Sequence, residues 1–194
     1  LPERRALRHG ARPGDRVPLK RRHAIALFAA VAFAAAAGGA GYHLWLAGDS
    51  GDARAVAERL YSTRLPDTRG NSQPLEQWRG RVLVVTFWAT WCAPCREEIP
   101  GFVRLQERYG GRGLQFVGIA IDQPGKVTDF AREFGINYPL LIGGMESLDL
   151  LRQAGNRQAV LPYTVVIDRH GKAATREPGA LKENRLEKLV KPLL

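Results

Sequence analysis

The chain of 194 residues has few of the residue types that build metal sites. It contains two cysteines, one methionine and four histidines. A structural zinc site needs four ligands, usually from two Cys-x-x-Cys pairs or from one such pair and two histidines. One cysteine pair is present, and no histidine lies near it in sequence. We therefore expect neither a metal site nor a cofactor.

Acidic residues are outnumbered by basic ones, 19 against 29, which gives a net charge of +10. Such an excess would ordinarily suggest binding to nucleic acid. However, the first 22 residues contribute +6 of it and lie immediately before an apolar segment. This distribution argues against a nucleic-acid surface, and we expect no nucleic-acid partner.

Charged residues are absent from Ala24–Ala47. A helix of about 24 residues, at a rise of about 1.5 Å each, spans the bilayer core of about 30 Å. Because lysine and arginine flank its start, the positive-inside rule predicts a basic cytoplasmic N-terminus over residues 1–23, a single-pass inner-membrane anchor and a periplasmic C-terminal domain. A signal peptide cleaved near residues 35–37, with secretion to the periplasm, is the main alternative. A buried helix of a soluble domain is the third.

Residues 65–194 have a length suited to one globular domain. Residues 48–64 are predicted to link this domain to the apolar segment. Within them, apolar residues at helical spacing predict a short helix over Asp52–Tyr61. This helix belongs either to the linker or to a collar on the domain.

Strand and helix patterns alternate along the predicted domain, which indicates an α/β fold with a central sheet. The first two long strands are joined by a helix and are therefore predicted to be parallel. The strand patterns lie at Arg81–Ala89, Leu114–Asp122 and Tyr163–Asp168, with weaker ones at 138–143 and 173–176. The helix patterns lie at Ala93–Tyr109, Val127–Gly135, Glu146–Gly155 and 182–194.

Both cysteines lie in one motif, Cys92-Ala93-Pro94-Cys95. A c-type haem site would need histidine directly after the second cysteine, where the chain has Arg96. A disulfide that served only as a staple would close a very short loop and restrict little chain entropy. A peroxidatic cysteine usually follows a threonine by three residues, and Ala89 occupies that position.

A redox-active dithiol is the interpretation that best fits these two cysteines. Cys92 follows a predicted buried strand and opens a helix, where free N–H groups and the helix dipole favour a thiolate. Cys95 lies one turn further into the helix and is expected to be the more buried thiol. The sequence therefore predicts that Cys92 attacks and Cys95 resolves.

The segment FWATWCAPCREEIP, Phe87–Pro100, resembles the active-site block of the TlpA/ResA-type membrane-anchored thiol-disulfide oxidoreductases of the thioredoxin superfamily. The segment VLPYTVVIDRHGK, Val160–Lys172, resembles a second block of that family. The resemblance covers about residues 65–194. It implies a thioredoxin-like fold with a central mixed β-sheet flanked by helices, preceded by a transmembrane helix.

The resemblance also implies a substrate-binding face. Pro162 would be a cis-proline opposite the cysteine pair, and the backbone of Leu161 would pair with a bound substrate. Trp91 would shield the thiols and contact partners. Tyr163 stands where the family usually has threonine, and its ring lies either beside the substrate groove or on the surface.

Glu98 matches the carboxylate of the family's CxxCxxE pattern. It would handle protons for the cysteine pair, because Thr86 occupies the position where thioredoxins proper have a buried aspartate. The alternative is a solvated carboxylate near the helix N-terminus. Pro100 is expected to kink the helix, and Glu97 is expected to lie on the surface.

The residue before the second cysteine bears on the direction of electron flow. Strong oxidants of the superfamily tend to have histidine there, whereas this chain has Pro94, which offers neither an N–H donor nor an imidazolium. A less stabilised thiolate makes a better reductant, so we expect a disulfide reductase.

The resemblance implies partners as well. Expected substrates are disulfides of apocytochrome c or of copper-delivery and oxidase-assembly proteins. The expected electron donor is a membrane protein of the DsbD/CcdA type. Two other function classes stay open: a module that binds Cu(I) or acts as a chaperone, and a thiol peroxidase of the peroxiredoxin type.

Overall fold

The computed structural model describes residues 31–35, 38–39 and 52–194. By its internal contacts the chain divides into two units, Leu1–Leu46 and Ala47–Leu194. In the first unit the described residues are helical. Across the described ranges, no helix combines the length and the apolar character needed to cross a bilayer. The predicted anchor over 24–47 lies largely outside the described residues, and the predicted basic N-terminus over 1–23 lies wholly outside them.

The first described element of the second unit is a helix, α1, over residues 52–61, as predicted. Four of its side chains are buried in the protein: Val56, Ala57, Leu60 and Tyr61. They pack into the same core as the central sheet. The structure therefore corrects the linker boundary: the helix is part of the packed domain, and the collar alternative describes it better.

A short hairpin follows α1, with β1 at Arg64–Pro66 paired antiparallel to β2 at Ser72–Pro74. Asp67 starts the turn between the two strands. Its carboxylate accepts backbone N–H bonds from Arg69 and Asn71. This turn leads the chain from α1 into a 3-10 helix over Leu75–Trp78 and then into the main sheet.

The main sheet has five strands in the order β5-β4-β3-β6-β7. The first three positions are mutually parallel, and the last two strands run antiparallel to their neighbours, which gives the predicted mixed sheet. The strands are β3 at Val82–Trp88, β4 at Leu114–Ala120, β5 at Leu140–Ile142, β6 at Tyr163–Ile167 and β7 at Ala173–Pro178.

Among the described residues, three further α-helices connect these strands, and a fourth, α5, follows β7. Helix α3 begins three residues earlier than predicted, because Pro124 fits the first turn of a helix, where no N–H is needed. The helices are α2 at Ala93–Tyr109, α3 at Pro124–Glu133, α4 at Ser147–Gln153 and α5 at Glu183–Val190.

Helices cover both faces of the sheet, which explains why β3 is apolar along its whole length. Successive side chains of β3 point to opposite faces. Val82, Val84 and Trp88 pack with α2, α3 and α5. Leu83 and Phe87 pack on the other face with α1 and α4. The carboxyl end of β3 is thereby fixed between two cores, and the cysteine motif begins there.

Candidate active site

Cys92 and Cys95 form a disulfide at the start of α2, with the sulfurs 2.06 Å apart. Cys92 is the N-cap residue with extended backbone, and Cys95 lies in the first turn. Cys92 is 6% exposed, whereas Cys95 is fully buried. Burial thus distinguishes one sulfur that a partner can reach from one that it cannot.

The loop between β3 and Cys92 is held by a carboxylate from the neighbouring strand. Asp122 follows β4, and its Oδ2 accepts bonds from Thr90 N at 3.1 Å and Thr90 Oγ1 at 2.5 Å. Its Oδ1 accepts a bond from the Gln123 N–H at 2.8 Å. Partial burial opposes ionisation of Asp122, but these hydrogen bonds prevail and hold its pKa below the ordinary value.

A role for Asp122 was not predicted from the sequence. A carboxylate directly after a buried strand, at the same sheet edge as the cysteine motif, was the available signal. Asp122 makes the loop before Cys92 a defined structure, because it ties both the backbone and the side chain of Thr90 to β4.

A cavity of about 440 Å³ lies beside the disulfide, and we call it the Cys92 groove. Among the residues that the structure describes, no charged side chain lines it. Trp91 and Met145 are 67% and 70% exposed at its edge. The lining residues are Trp91, Cys92, Pro94, Ile121, Met145, Leu148, Ala159 and Leu161. The groove therefore offers apolar surface to whatever approaches Cys92, and Met145 is a part of it that the sequence did not predict.

The bond between Leu161 and Pro162 is cis, as predicted. Leu161 lines the Cys92 groove, so the segment before the proline adjoins the disulfide. Ala159 in the same segment has a φ of 52°, in the left-handed region that residues other than glycine rarely adopt. Strained backbone of this kind is typical of functional loops.

Asn156 stabilises this segment from within. Its side-chain Nδ2 donates to the Val160 carbonyl at 2.6 Å, and its Oδ1 accepts the Val160 N–H at 3.3 Å. Its own carbonyl accepts the Ala159 N–H at 2.9 Å. Asn156 is buried. It was not singled out in the sequence, because its partners lie in a loop whose shape the sequence does not display.

The side chain of Tyr163 is not where either sequence alternative placed it. It is only 3% exposed and packs 6.4 Å from Phe87, in the core on the α1 and α4 side of the sheet. Its hydroxyl donates to the Ala154 carbonyl at 2.9 Å. Because strand side chains alternate between faces, the ring of Tyr163 is absent from the lining of the Cys92 groove. The assignment of Tyr163 as a substrate-binding side chain is corrected accordingly.

Glu98 is buried, so the solvated alternative is wrong. Its Oε2 accepts the Leu181 N–H at 2.9 Å, and no hydrogen-bond partner is found for Oε1 within the described residues. Burial raises the pKa of Glu98 to about 8, although the Leu181 hydrogen bond opposes this rise. The buried Thr86 contacts Thr164 through its hydroxyl at 3.4 Å and offers no titratable group.

Other residues of the motif have structural surroundings. Trp88 is buried, with its ring 5.2 Å from that of Phe130. Arg96 lies over the rings of Phe130 and Phe134. Pro100 is inside α2. Within the part of the chain that the structure describes, no group of three or more His, Cys, Asp or Glu side chains is arranged to hold a metal ion.

The mixed sheet, the Cys-x-x-Cys disulfide at a helix start and the adjoining cis-proline define a thiol-disulfide oxidoreductase of the thioredoxin superfamily. The chain belongs to the Redoxin family, which it matches over residues 51–191.

Curated relatives agree with this assignment. The chain is 28% identical to the thiol-disulfide oxidoreductase ResA of Halalkalibacterium halodurans over 141 residues, which cover 71% of this chain and 78% of that protein. It is 28% identical to ResA of Bacillus subtilis over 134 residues, with 66% and 72% covered.

Solved structures are similar as well. A thiol:disulfide interchange protein of Chlorobium tepidum matches with a TM-score of 0.60 and 31% identity, covering 68% of this chain and 92% of that one. A thioredoxin-related protein of Neisseria meningitidis serogroup B matches with a TM-score of 0.61 and 29% identity, covering 66% and 97%.

Proposed function

We propose that this oxidoreductase works as a reductase of protein disulfides in the periplasm, in cytochrome c maturation or in oxidase and copper-site assembly. The observation that carries the proposal is the asymmetry of the cysteine pair. Cys92 lines an apolar groove, whereas Cys95 is fully buried one turn along α2. This arrangement suits one sulfur to attack a large substrate and the other to complete the exchange.

In the first step the Cys92 thiolate attacks one sulfur of a substrate disulfide that lies against Leu161 and Pro162. The substrate S–S bond breaks, a mixed disulfide with Cys92 forms, and the first substrate thiolate leaves. Free N–H groups at the start of α2 stabilise the attacking thiolate.

In the second step the ionised form of Glu98, whose share rises as pH approaches about 8, takes the proton of Cys95. Cys95 then attacks the sulfur of Cys92. The mixed disulfide breaks, the second substrate thiolate leaves, and two electrons have passed from the enzyme to the substrate. Glu98 is placed for this role on the same helix, three residues after Cys95, where side chains are neighbours. A membrane dithiol donor of the DsbD/CcdA type then reduces the Cys92–Cys95 disulfide again.

The first turn of α2 supports the proposed direction. Pro94 stands there and has no N–H to donate to the Cys92 sulfur. Arg96, the nearest cation in the motif, is engaged with the rings of Phe130 and Phe134. With fewer groups to stabilise the thiolate, the reduced pair gives up its electrons more readily.

The reduction potential of the cysteine pair tests the proposal. We expect a value near that of thioredoxin, about −270 mV, and far from the value of the oxidant DsbA, about −120 mV. Equilibration with glutathione or dithiothreitol buffers, followed by thiol trapping, measures it. A value above about −150 mV would contradict the reductase assignment.

Turnover provides a second measurement. We expect the wild type to catalyse reduction of insulin by dithiothreitol and Cys92→Ser to lose this activity. Cys95→Ser should instead accumulate a mixed disulfide with the substrate. If both variants keep the wild-type activity, the cysteine pair is excluded as the reacting group.

A further inference from the structure

The carboxyl of Glu98 needs a route for its proton. Its side chain is 6% exposed, and Oε1 has no hydrogen-bond donor among the described residues. Buried polar atoms nearly always have a partner. The Oε1 atom is therefore free to hold a proton or to accept a hydrogen bond from a water molecule.

A pocket of about 290 Å³ reaches this carboxyl from outside. It lies between α2, which contributes Glu98, Gly101 and Arg104, and the segment Ala180–Glu183 that leads into α5, and we call it the α2–α5 pocket. A water molecule occupies about 30 Å³ in the liquid, so a pocket of this size accommodates several.

The α2–α5 pocket and the Cys92 groove have no lining residue in common. A substrate bound through Cys92 covers the groove, because Cys92 is part of its lining. At that moment Cys95 must lose a proton to resolve the mixed disulfide. A route on the groove side would be closed by the substrate, whereas the α2–α5 pocket stays open to solvent.

We propose that the α2–α5 pocket is the proton-exchange route of Glu98 during resolution. The proton moves from the Cys95 thiol to the Glu98 carboxylate, from there to water in the pocket, and then to bulk solvent. The departing substrate thiolate takes a proton from bulk solvent, so protons and charge balance. This inference rests on the proposed role of Glu98 in the second step of the reaction.

The charged groups around the pocket leave Glu98 without a direct ion pair. Arg104 is engaged by Glu183, with Nε and Nη2 donating to Oε2 at 2.9 and 2.7 Å. Tyr138, before β5, is buried, and the charge of Glu98 adds to burial in raising the pKa of Tyr138. The titratable and charged groups around Glu98 are Glu97 and Arg104 on α2, Lys182 and Glu183 at the start of α5, and Tyr138.

Two small residues shape the pocket. A Cβ at Gly101 would lie 3.0 Å from the Glu183 Cβ, so glycine lets the start of α5 approach α2 closely. This approach accompanies the hydrogen bond from Leu181 N to Glu98. Ala180 is exposed and lines the pocket. A larger side chain at Ala180 would fill the route without entering the core.

Ala180→Leu is the variant that tests the route. The matched control is Ala174→Leu, an exposed alanine on β7 that does not line this pocket. Reduced enzyme is mixed with an aromatic dithiobis-nitrobenzoate disulfide in a stopped-flow instrument. The first release of coloured thiol reports attack by Cys92, and the second release reports resolution by Cys95.

We expect Ala180→Leu to slow the second phase several-fold throughout the pH range in which the rate of that phase is at its plateau. The first phase should be unchanged. Ala174→Leu should match the wild type in both phases. Glu98→Gln should slow the second phase more strongly, and adding Ala180→Leu to it should have no further effect. A double-mutant cycle of this kind reports coupling between the pocket and the carboxyl.

Two outcomes would overturn the route while leaving the proposed role of Glu98 intact. One is an unchanged second phase in Ala180→Leu when Glu98→Gln slows it. The other is an unchanged plateau with a shifted pH midpoint, because added burial alone would raise the pKa of Glu98 without blocking exchange. An unchanged second phase in Glu98→Gln would instead refute the proposed role, and the route with it.

Discussion

Glu98 is a carboxyl group that the fold removes from water. Its pKa is raised to about 8 by burial, so the folded protein binds a proton that the unfolded chain, with an ordinary pKa near 4.5, releases. Stability from this group is therefore fully present below about pH 4.5 and is lost as pH rises toward 8. Each unit of pKa difference corresponds to about 1.4 kcal/mol.

We expect the free energy of unfolding of the oxidised protein to fall between pH 4.5 and 8, and Glu98→Gln to remove that part of the slope. Urea unfolding at several pH values measures it, with Glu97→Gln, an exposed neighbour on α2, as the control. Equal slopes for wild type and Glu98→Gln would show that Glu98 ionises normally in the fold.

Asp122 illustrates a positioning residue at the same scale. Three hydrogen bonds join its carboxylate to Thr90 and Gln123. We expect Asp122→Ala to lower the free energy of unfolding by about 1–3 kcal/mol, because the partly buried donors of Thr90 lose a charged acceptor. It should also slow attack by Cys92, since the loop before Cys92 loses its anchor.

The matched control for Asp122→Ala is Asp129→Ala, whose carboxylate is exposed on α3 and forms an ion pair with Arg132. Stopped-flow attack rates and urea unfolding are measured on both variants. If the free energy of unfolding falls by less than expected in Asp122→Ala, and this variant attacks substrate at the wild-type rate, the loop does not depend on this carboxylate.

At the scale of elements, the segment from Asn156 to Leu161 contributes one wall of the Cys92 groove. Asn156 fixes its backbone through Ala159 and Val160. We expect Asn156→Ala to raise the KM for an unfolded protein substrate several-fold and to leave the reduction potential of the cysteine pair unchanged, because the disulfide itself is held by α2.

Gln158→Ala, at an exposed position of the same segment, is the control and should behave as wild type. A purely structural role would not raise the KM while leaving the reduction potential unchanged, since general destabilisation lowers both activity and yield. An unchanged KM in Asn156→Ala would separate this segment from substrate binding.

The elements differ in how far the sequence predicted them. Buried strands were evident because β3 and β6 are rich in β-branched and aromatic residues, and β4 is mostly apolar. The packing of α1 was open, because a short amphipathic helix does not reveal which surface it covers. The face of Tyr163 was missed because it depends on the register of β6 against β3.

The site divides in the same way. Cys92, Cys95 and Pro162 follow from a motif and its distant counterpart, and the structure brings Leu161 to the groove beside Cys92. Asp122 and Asn156 could not be inferred, because each acts through hydrogen bonds to loop backbone that exist only in the folded chain. Burial of Glu98 depends on α5, which follows it by more than 80 residues.

At the scale of the whole molecule, the proposed function requires that the domain reach an oxidising compartment. The segment Ala24–Ala47 is uncharged and is preceded by a strongly basic stretch. Positive-inside orientation then predicts that everything after residue 47 crosses the membrane. A reductase of exported disulfides would have no substrates in the cytoplasm, where thiols are kept reduced.

We expect alkaline phosphatase joined to Leu194 to be active in a bacterial host, because that enzyme matures only where its disulfides form. The same reporter joined after residue 23 should be inactive. Replacing the basic residues of Lys20–Arg22 by glutamate should reduce export by weakening the orientation signal.

Carbonate extraction of the full chain then distinguishes the two forms of export, since an anchored protein stays with the membrane and a cleaved one is released. An inactive reporter at Leu194 would remove the periplasmic assignment and leave a thiol-disulfide oxidoreductase whose substrates must be sought in the cytoplasm.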